Sequence, residues 1–339
     1  YRAAQAEAVE EFDQQDAIKD SGRLVSDNVY GNQEQDARRR DFTVNALYFD
    51  SRDFSVIDYV GGMQDLQQGL LRVIGDPETR FREDPVRMLR AVRFAAKLDF
   101  KIDRTVSKAI HESTELLTNV PPARLFDEFL KMFQAGFAQP TFHLLRKYQL
   151  FGLLFPETEK ALEGDEDFLS FVEAALVNTD RRVKADQSVT PMFLLGVFLW
   201  QPVLQLAARL REREKMSEPQ SLALAAYEIA AAQQSRISSP RRFTSPMREM
   251  LSLQPRFSAC KGRRAYNLLQ HRRFRAAYDF MMLRAQVGEF DADVAQFWTD
   301  VQKQSDEQRM QSFGVGAPPK GKKRRRRPRR RRTAKASST

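Results

Sequence analysis

The period of the apolar residues changes near residue 76 of the chain. Before that point, stretches rich in aromatic and β-branched residues predict strands at residues 44–49, 54–60 and 70–74, with a short helix or turn at 63–69. The first two strands are close enough in sequence to form a hairpin. After that point, apolar residues return every three or four positions, which is typical of helices packed on a core. The sequence therefore predicts an α+β protein that is mostly α.

Prolines, glycines and capping residues divide the helical part into separate elements. Pro240 and Pro246 flank a predicted connector. The predicted helices lie at residues 85–98, 106–117, 122–136, 140–150, 166–177, 189–204, 221–234, 262–287 and 291–306.

The helix at 85–98 carries a cationic face. Asp84 followed by Pro85 predicts its start, with the acid as N-cap and the proline at the first helical position. At about 100° per residue, Arg87 and Arg90 share one face, with Arg93 at its edge. No acid lies between residues 85 and 98. A solvated face is one interpretation; the lack of acids favours a polyanionic ligand such as a triphosphate.

Two groups of residues could carry chemistry. In the segment 38–46, R-R-R-D-F-T-V-N-A, Asp41 follows three arginines just before a predicted strand. Such a group suits Mg²⁺ or a ribose together with phosphates, or else a structural ion-pair cluster. Asp84 beside Arg87 offers an acceptor and a donor, as a nucleobase edge requires, although the acid can also act only as a helix cap.

Composition limits the class of protein. A chain of 339 residues with 42% apolar residues can bury a large core. No signal peptide is visible and we expect no transmembrane segment, a cytoplasmic location and a monomer. One cysteine and three histidines argue against a disulfide framework or a zinc site, so any metal would be a hard cation held by carboxylates.

The positive charge is concentrated in the tail. Residues 320–339 carry 12 lysines and arginines and no acid, and subtracting these from the net +10 leaves −2 for the rest. Such a tail should be disordered and attract RNA with a steep salt dependence; a membrane surface or an acidic protein is the alternative. The predicted RNA-binding arginines are Arg324, Arg325, Arg326, Arg327, Arg329, Arg330, Arg331 and Arg332.

The segments R-R-D-F-T-V-N-A and E-D-P-V-R-M-L-R-A-V-R-F, joined by D-Y-V-G-G-M-Q-D-L and L-R-V-I-G-D-P-E-T-R-F, resemble the class II nucleotidyltransferases. This class contains the bacterial poly(A) polymerases and the tRNA CCA-adding enzymes. Three further features are similar to the poly(A) polymerase branch: N-V-P-P-A-R-L-F-D-E-F-L-K-M-F, R-R-A-Y-N-L-L-Q-H-R-R-F-R-A-A-Y-D-F and the arginine-rich tail.

The resemblance implies an enzyme that adds AMP from ATP to RNA 3′ ends without a template, in mRNA polyadenylation and RNA decay, with Mg²⁺ held by carboxylates. RNA-decay proteins would be partners of the tail. A CCA-adding enzyme and a non-catalytic RNA-binding protein are the alternatives. The implied architecture is a remnant of a nucleotidyltransferase head with short antiparallel strands, then an all-helical neck and body. Its expected parts are a flexible acidic, Gln-rich segment (1–27), the C-terminal part of the head (28–76), a neck of nucleotide-binding helices (77–120), a helical RNA-binding body (121–310) and a disordered tail (311–339).

The same resemblance assigns roles to single residues. Asp41 matches a catalytic acid of the family. The other matching positions would bind the nucleotide: Arg39, Arg40 and Asn45 around the sugar and phosphates, Asp84 and Arg87 at the base, and Arg90 at a phosphate.

One part of the family pattern is missing. The Gly-rich segment and Asp-x-Asp strand that precede R-R-D-F in the family do not occur before Arg38, and the chain opens on Tyr1. The Asp-Ala-Asp at residues 291–293 comes near the other end and is interpreted as a helix N-cap. We therefore expect a fragment of a longer protein with an incomplete metal site, inactive alone. AMP incorporation into RNA by the 339-residue chain would contradict this expectation.

Overall fold

The computed structural model describes residues 32–315 of the protein. The segment predicted to be flexible (1–27) and the arginines predicted to bind RNA (Arg324 to Arg327 and Arg329 to Arg332) lie outside the described residues.

Within that range the chain forms seventeen α-helices and four short strands. In chain order they are α1 (Gln33–Arg39), β1 (Leu47–Asp50), β2 (Ser55–Asp58), α2 (Gly62–Gln68), β3 (Leu70–Leu71), α3 (Pro77–Glu83), α4 (Val86–Leu98), β4 (Lys101–Ile102), α5 (Arg104–Ser113), α6 (Pro122–Phe133), α7 (Ala138–Lys147), α8 (Phe151–Leu154), α9 (Pro156–Leu162), α10 (Glu166–Lys184), α11 (Pro191–Glu214), α12 (Glu218–Gln233), α13 (Arg241–Ser252), α14 (Arg263–Leu268), α15 (Phe274–Gln286), α16 (Ala292–Val301) and α17 (Asp306–Ser312). The predicted α+β, mostly α, class is confirmed.

The strands form two small pairs. β1 and β2 are an antiparallel hairpin in which Leu47 lies opposite Asp58, as predicted. The first strand starts later than predicted because Thr43–Asn45 forms a 3₁₀ turn. The predicted strand at 70–74 is shortened to β3, and its partner is β4, in a parallel pair that the sequence did not predict. β4 follows directly from α4, so this pair fixes the end of that helix beside β3.

Asp84 separates two helices where the sequence predicted one. Its N–H donates to the carbonyl of Arg80 and closes α3, which was not predicted. Its Oδ1 accepts the N–H of Val86, 3.1 Å away, so the acid binds the first turn of α4 as predicted; the helix itself starts one residue later than predicted, with Pro85 at the N-cap. The predicted apolar face of α4 is buried, with Met88 and Leu89 fully inaccessible.

Three predictions for the body helices were wrong. The helix predicted at 262–287 is split into α14 and α15 by a turn in which His271 Nδ1 accepts the N–H of Arg273. The helix predicted at 291–306 ends at Val301 and is followed by α17, although Asp291 caps α16 as expected. The predicted connector at 240–246 is the start of α13, which packs closely on α11: a Cβ at Gly196 would lie 2.5 Å from Met250 Cε.

Helix α11 is the centre of the core. Phe198 of this helix lies with its ring centroid 4.9 to 6.3 Å from five other buried rings, those of Phe129, Phe133, Phe142, Phe151 and Phe155. By length and apolarity α11 could cross a membrane, yet 61% of its most apolar window is buried in the fold, as in the core helix of a globular protein.

Candidate functional site

Asp41 joins the two segments that the sequence singled out. It lies between α1 and the 3₁₀ turn and is only 8% exposed. Its Oδ1 accepts from Arg87 Nε at 2.8 Å, and its Oδ2 lies 2.6 Å from Arg90 Nη2. Each carboxylate oxygen therefore holds a different guanidinium of α4, from a position more than 40 residues upstream.

The two α4 arginines are consequently not the unpaired cations that the sequence suggested. Arg87 also donates through Nη1 to Glu83 at 2.9 Å and to the carbonyl of Arg80 at 2.8 Å, and its side chain is 13% exposed. Arg90 is more accessible, at 34%. Helical spacing shows only neighbours within α4, so it could not reveal an acid supplied by another segment.

Arg80 connects the same two segments from the other side, and sequence reasoning missed it. Its Nη2 donates to the carbonyl oxygens of Arg39 and Arg40, at 3.0 and 2.9 Å. Its Nη1 lies 3.0 Å from Glu83. Arg80 belongs to the quoted G-D-P-E-T-R-F segment, but nothing in that segment predicts that its side chain donates to backbone carbonyls of another segment. The clamp fixes the chain immediately before Asp41.

Arg40 and Asn45 have mainly structural contacts. Arg40 lies 3.1 Å from Asp36 and donates to the carbonyl of Asn45 at 3.2 Å. The Tyr48 hydroxyl donates to Asp36 at 2.6 Å, and this bond lowers the pKa of that carboxyl, burial acting in the opposite direction. The Asn45 side chain accepts the N–H of Phe42. Their predicted nucleotide contacts stay predictions.

Arg39 differs from Arg40, since its Nη1 is buried and has no hydrogen-bond partner among residues 32–315. Buried guanidinium nitrogens normally have partners. The predicted nucleotide contact of Arg39 stays a prediction.

Asp84 is anchored by a residue that the sequence did not single out. Its Oδ2 lies 2.7 Å from Arg124 Nη2 of α6, while Oδ1 caps α4. Asp84 is 7% exposed and the Arg124 side chain 41% exposed. Arg124 lies in the quoted N-V-P-P-A-R-L-F segment, at the start of a predicted helix. Nothing in that segment predicts that Arg124 pairs with Asp84.

An aromatic and cationic wall continues along α4. The Arg93 guanidinium carbon lies 4.6 Å from the Phe94 ring centroid, and Phe94 meets Phe42 edge-on at 5.4 Å. Burial lowers the pKa of Arg93, and the nearby carboxylate of Glu128 acts against this shift. The site thus places several guanidiniums beside two largely buried carboxylates, which suits an anion that also carries a hydrogen-bonding ring.

The described residues do not fit a magnesium site. In the range 32–315 no three side chains of His, Cys, Asp or Glu lie close enough together to hold a metal ion. Both oxygens of Asp41 are already taken by guanidiniums. These carboxylates therefore hold arginines in place.

Comparisons with known proteins match three consecutive parts of the chain. Residues 3–72 match the poly A polymerase head domain, residues 99–162 the probable RNA and SrmB-binding site of polymerase A, and residues 214–332 the polymerase A arginine-rich C-terminus.

Individual proteins similar to the chain come from two enzyme groups. Poly(A) polymerase I of Salmonella typhi is 44% identical over 287 residues, which are 83% of this chain and 62% of that protein. A CCA-adding enzyme of Lactobacillus helveticus is 39% identical over 119 residues, 35% of this chain and 30% of that protein. A solved structure described as a tRNA-processing enzyme (apo form 2) is 20% identical with a TM-score of 0.49, covering 83% of this chain and 75% of that one.

The R-R-D-F and E-D-P-V-R segments, in contact through Asp41, and these matches place the chain among the class II nucleotidyltransferases by family. Within that class the chain belongs to the poly(A) polymerase family, because it carries that family's head, RNA-binding and arginine-rich segments in order. It spans 62% of the length of the Salmonella typhi relative.

Proposed function

We propose that the protein carrying this chain is a template-independent polynucleotide adenylyltransferase. The RNA 3′ oxygen would attack the α-phosphorus of ATP, the bond from that phosphorus to the bridging oxygen would break, and pyrophosphate would leave. The observation that supports this most directly is the pair of bonds from Asp41 to Arg87 and Arg90, which pre-orients two guanidiniums before any ligand arrives.

In this proposal the two carboxylates have different tasks. Asp41 is a positioning residue for Arg87 and Arg90, and its predicted direct catalytic role stays a prediction. Arg90, the more exposed of the two arginines, would contact a phosphate. Asp84, held by Arg124, would accept from the adenine amino group while Arg87 donates to the ring.

Magnesium belongs to the family's chemistry, where it neutralises phosphate charge. The described residues offer no carboxylate set for it. The roles proposed for these residues are therefore binding and orienting ATP, and none of them depends on a metal ligand.

The RNA would be bound by the helical body and by the arginine-rich tail, in the predicted division into head, neck, body and tail. Partners in RNA decay and a cytoplasmic location are part of the same proposal. The CCA-adding alternative is less well supported, because the relative with that name matches 35% of this chain against 83% for the poly(A) polymerase.

Incorporation of labelled nucleotide tests the proposal. The complete protein should extend an oligo(A) primer with ATP and release one pyrophosphate per AMP, with little extension by CTP. Addition of C, C and A to a tRNA lacking these residues would instead support the CCA-adding reading. Absence of any incorporation, in a protein that binds RNA, would support the non-catalytic reading.

A further inference from the structure

A second cationic site lies in the helical body and shares no residue with the site around Asp41. It is a cleft of about 1120 Å³ between α10, the following loop, the start of α11 and the helices α15 and α16. Five arginines line it: Arg181, Arg182, Arg272, Arg273 and Arg275.

The charges of this cleft are only partly balanced. Asp279 is the single acidic side chain in its lining and lies 3.1 Å from Arg275. Arg272 and Arg273 share Glu249, which lies outside the lining. The remaining two, Arg181 and Arg182, form no direct salt bridge within residues 32–315, although the charge of Arg182 acts on Asp279.

Both of these arginines keep donors available. Arg181 donates to the side-chain oxygen of Asn178 at 2.8 Å, and Arg182 to the carbonyl of Ser188 at 3.2 Å. A guanidinium has five N–H donors, so one such bond leaves most of them for a ligand. Burial raises the pKa of Asp279, against the effects of Arg275 and Arg182, so the one acid of the cleft is weakly acidic for its type.

Apolar side chains also line the cleft, and they come from both walls. Met192 and Phe193 belong to the start of α11, and Met282 and Leu283 to α15. The Phe193 ring is held edge-on by Phe280, with 5.7 Å between centroids. Arginines combined with apolar and aromatic surface are what single-stranded nucleic acid needs, because its phosphates and base faces are both accessible.

We propose that this cleft binds single-stranded RNA, several nucleotides of the chain whose 3′ end is extended at the other site. The proposal rests on the adenylyltransferase function proposed above. The cleft exceeds the roughly 300–1,000 Å³ of usual small-molecule sites, which favours an oligonucleotide over one nucleotide. The arginine-rich tail cannot be its occupant, because 12 cations would be repelled by the cleft arginines.

The test compares two double variants of equal charge change. Arg181→Gln with Arg275→Gln removes one cation from each wall of the cleft. Arg209→Gln with Arg213→Gln removes two exposed cations of α11 that lie outside the lining. All proteins keep the tail. Binding of fluorescent 15-nucleotide oligo(A) is measured from 50 to 300 mM salt, and ATP binding serves as the control for folding.

The cleft variant should bind oligo(A) on the order of tenfold more weakly, with the slope of log K against log salt reduced by about 1.4, as expected for two lost phosphate contacts. The control should change less than twofold. Equal losses in both variants, or no loss in either, would overturn the proposal.

A second measurement uses the unmodified chain and so does not depend on the variants folding. Oligo(A) should slow amide hydrogen exchange at residues 178–189 and 272–279, and ATP alone should not. Protection by ATP alone would show that the cleft is a nucleotide site and would refute the proposal. Absence of protection by both oligo(A) and ATP would also refute RNA binding in the cleft. Failure of AMP incorporation in a protein that shows this protection would refute only the adenylyltransferase function.

Discussion

The substitution Asp41→Ala tests whether this carboxylate holds the site together. It would leave Arg87 and Arg90 facing each other without the acid between them, in a region where Asp41 and Arg87 are 10% and 13% exposed at the side chain. Removing one partner of a buried ion pair costs about 3–5 kcal/mol. Arg90 is one-third exposed and Arg87 keeps Glu83, so the expected cost is smaller, about 2–3 kcal/mol.

Thermal unfolding measures this cost. For a chain of 339 residues, about 2–3 kcal/mol lowers the midpoint by roughly 3–5 °C. Glu212→Ala on the exposed end of α11 is the matched control, since it also removes one carboxylate and should leave the midpoint unchanged within about 1 °C. A midpoint in Asp41→Ala equal to that of the control would show that the ion pairs contribute nothing to the fold.

ATP binding by the same variant separates positioning from metal ligation. If Asp41 only orients arginines, the substitution changes ATP affinity by the same factor in EDTA and in Mg²⁺. A change seen only with Mg²⁺ would refute the positioning role and support the predicted catalytic role of Asp41.

Three other substitutions probe separate parts of the fold and site. In the complete enzyme, Arg87→Ala should reduce the preference for ATP over CTP in incorporation assays, and an unchanged preference would exclude base reading by this residue. Gly62→Ala should lower the thermal midpoint strongly, because a Cβ there would lie 2.2 Å from the Thr43 carbonyl oxygen and the backbone must shift; a stable variant would contradict this packing. Tyr48→Phe should cost about 1 kcal/mol at neutral pH. The hydrogen bond from Tyr48 lowers the pKa of Asp36 in the folded protein below its usual 3.8. The stabilisation that this bond gives is therefore present above pH 3.8 and is lost as the pH falls further. When the free energy of unfolding is measured against pH, the variant should lose less stability in acid than the parent protein.

Local patterns predicted the elements whose contacts are close in sequence. The β1–β2 hairpin and the buried face of α4 follow from alternation and helical period alone. Helix α3 was missed because seven residues give too little period to recognise. Helix α13 was missed because Pro246 usually ends a helix, and here the close packing on Gly196 outweighs that preference.

The sequence predicted which residues belong to the candidate site, but not which of them contact each other. The motifs indicated which residues matter, but the bonds from Asp41 to α4 and from Asp84 to Arg124 each span at least 40 residues. No periodicity reports on such contacts. The sequence therefore described as unpaired an arginine face that the fold neutralises in part.

Asp84 has a consequence for the movement of α6 relative to α3 and α4. It closes α3 through its backbone, opens α4 through one carboxylate oxygen and holds α6 through the other. A displacement of α6 must either carry Asp84 with it or break a bond of 2.7 Å to an arginine. The carboxylate proposed to read the base would thus move together with α6, so that nucleotide choice and the position of α6 would be mechanically linked at one residue.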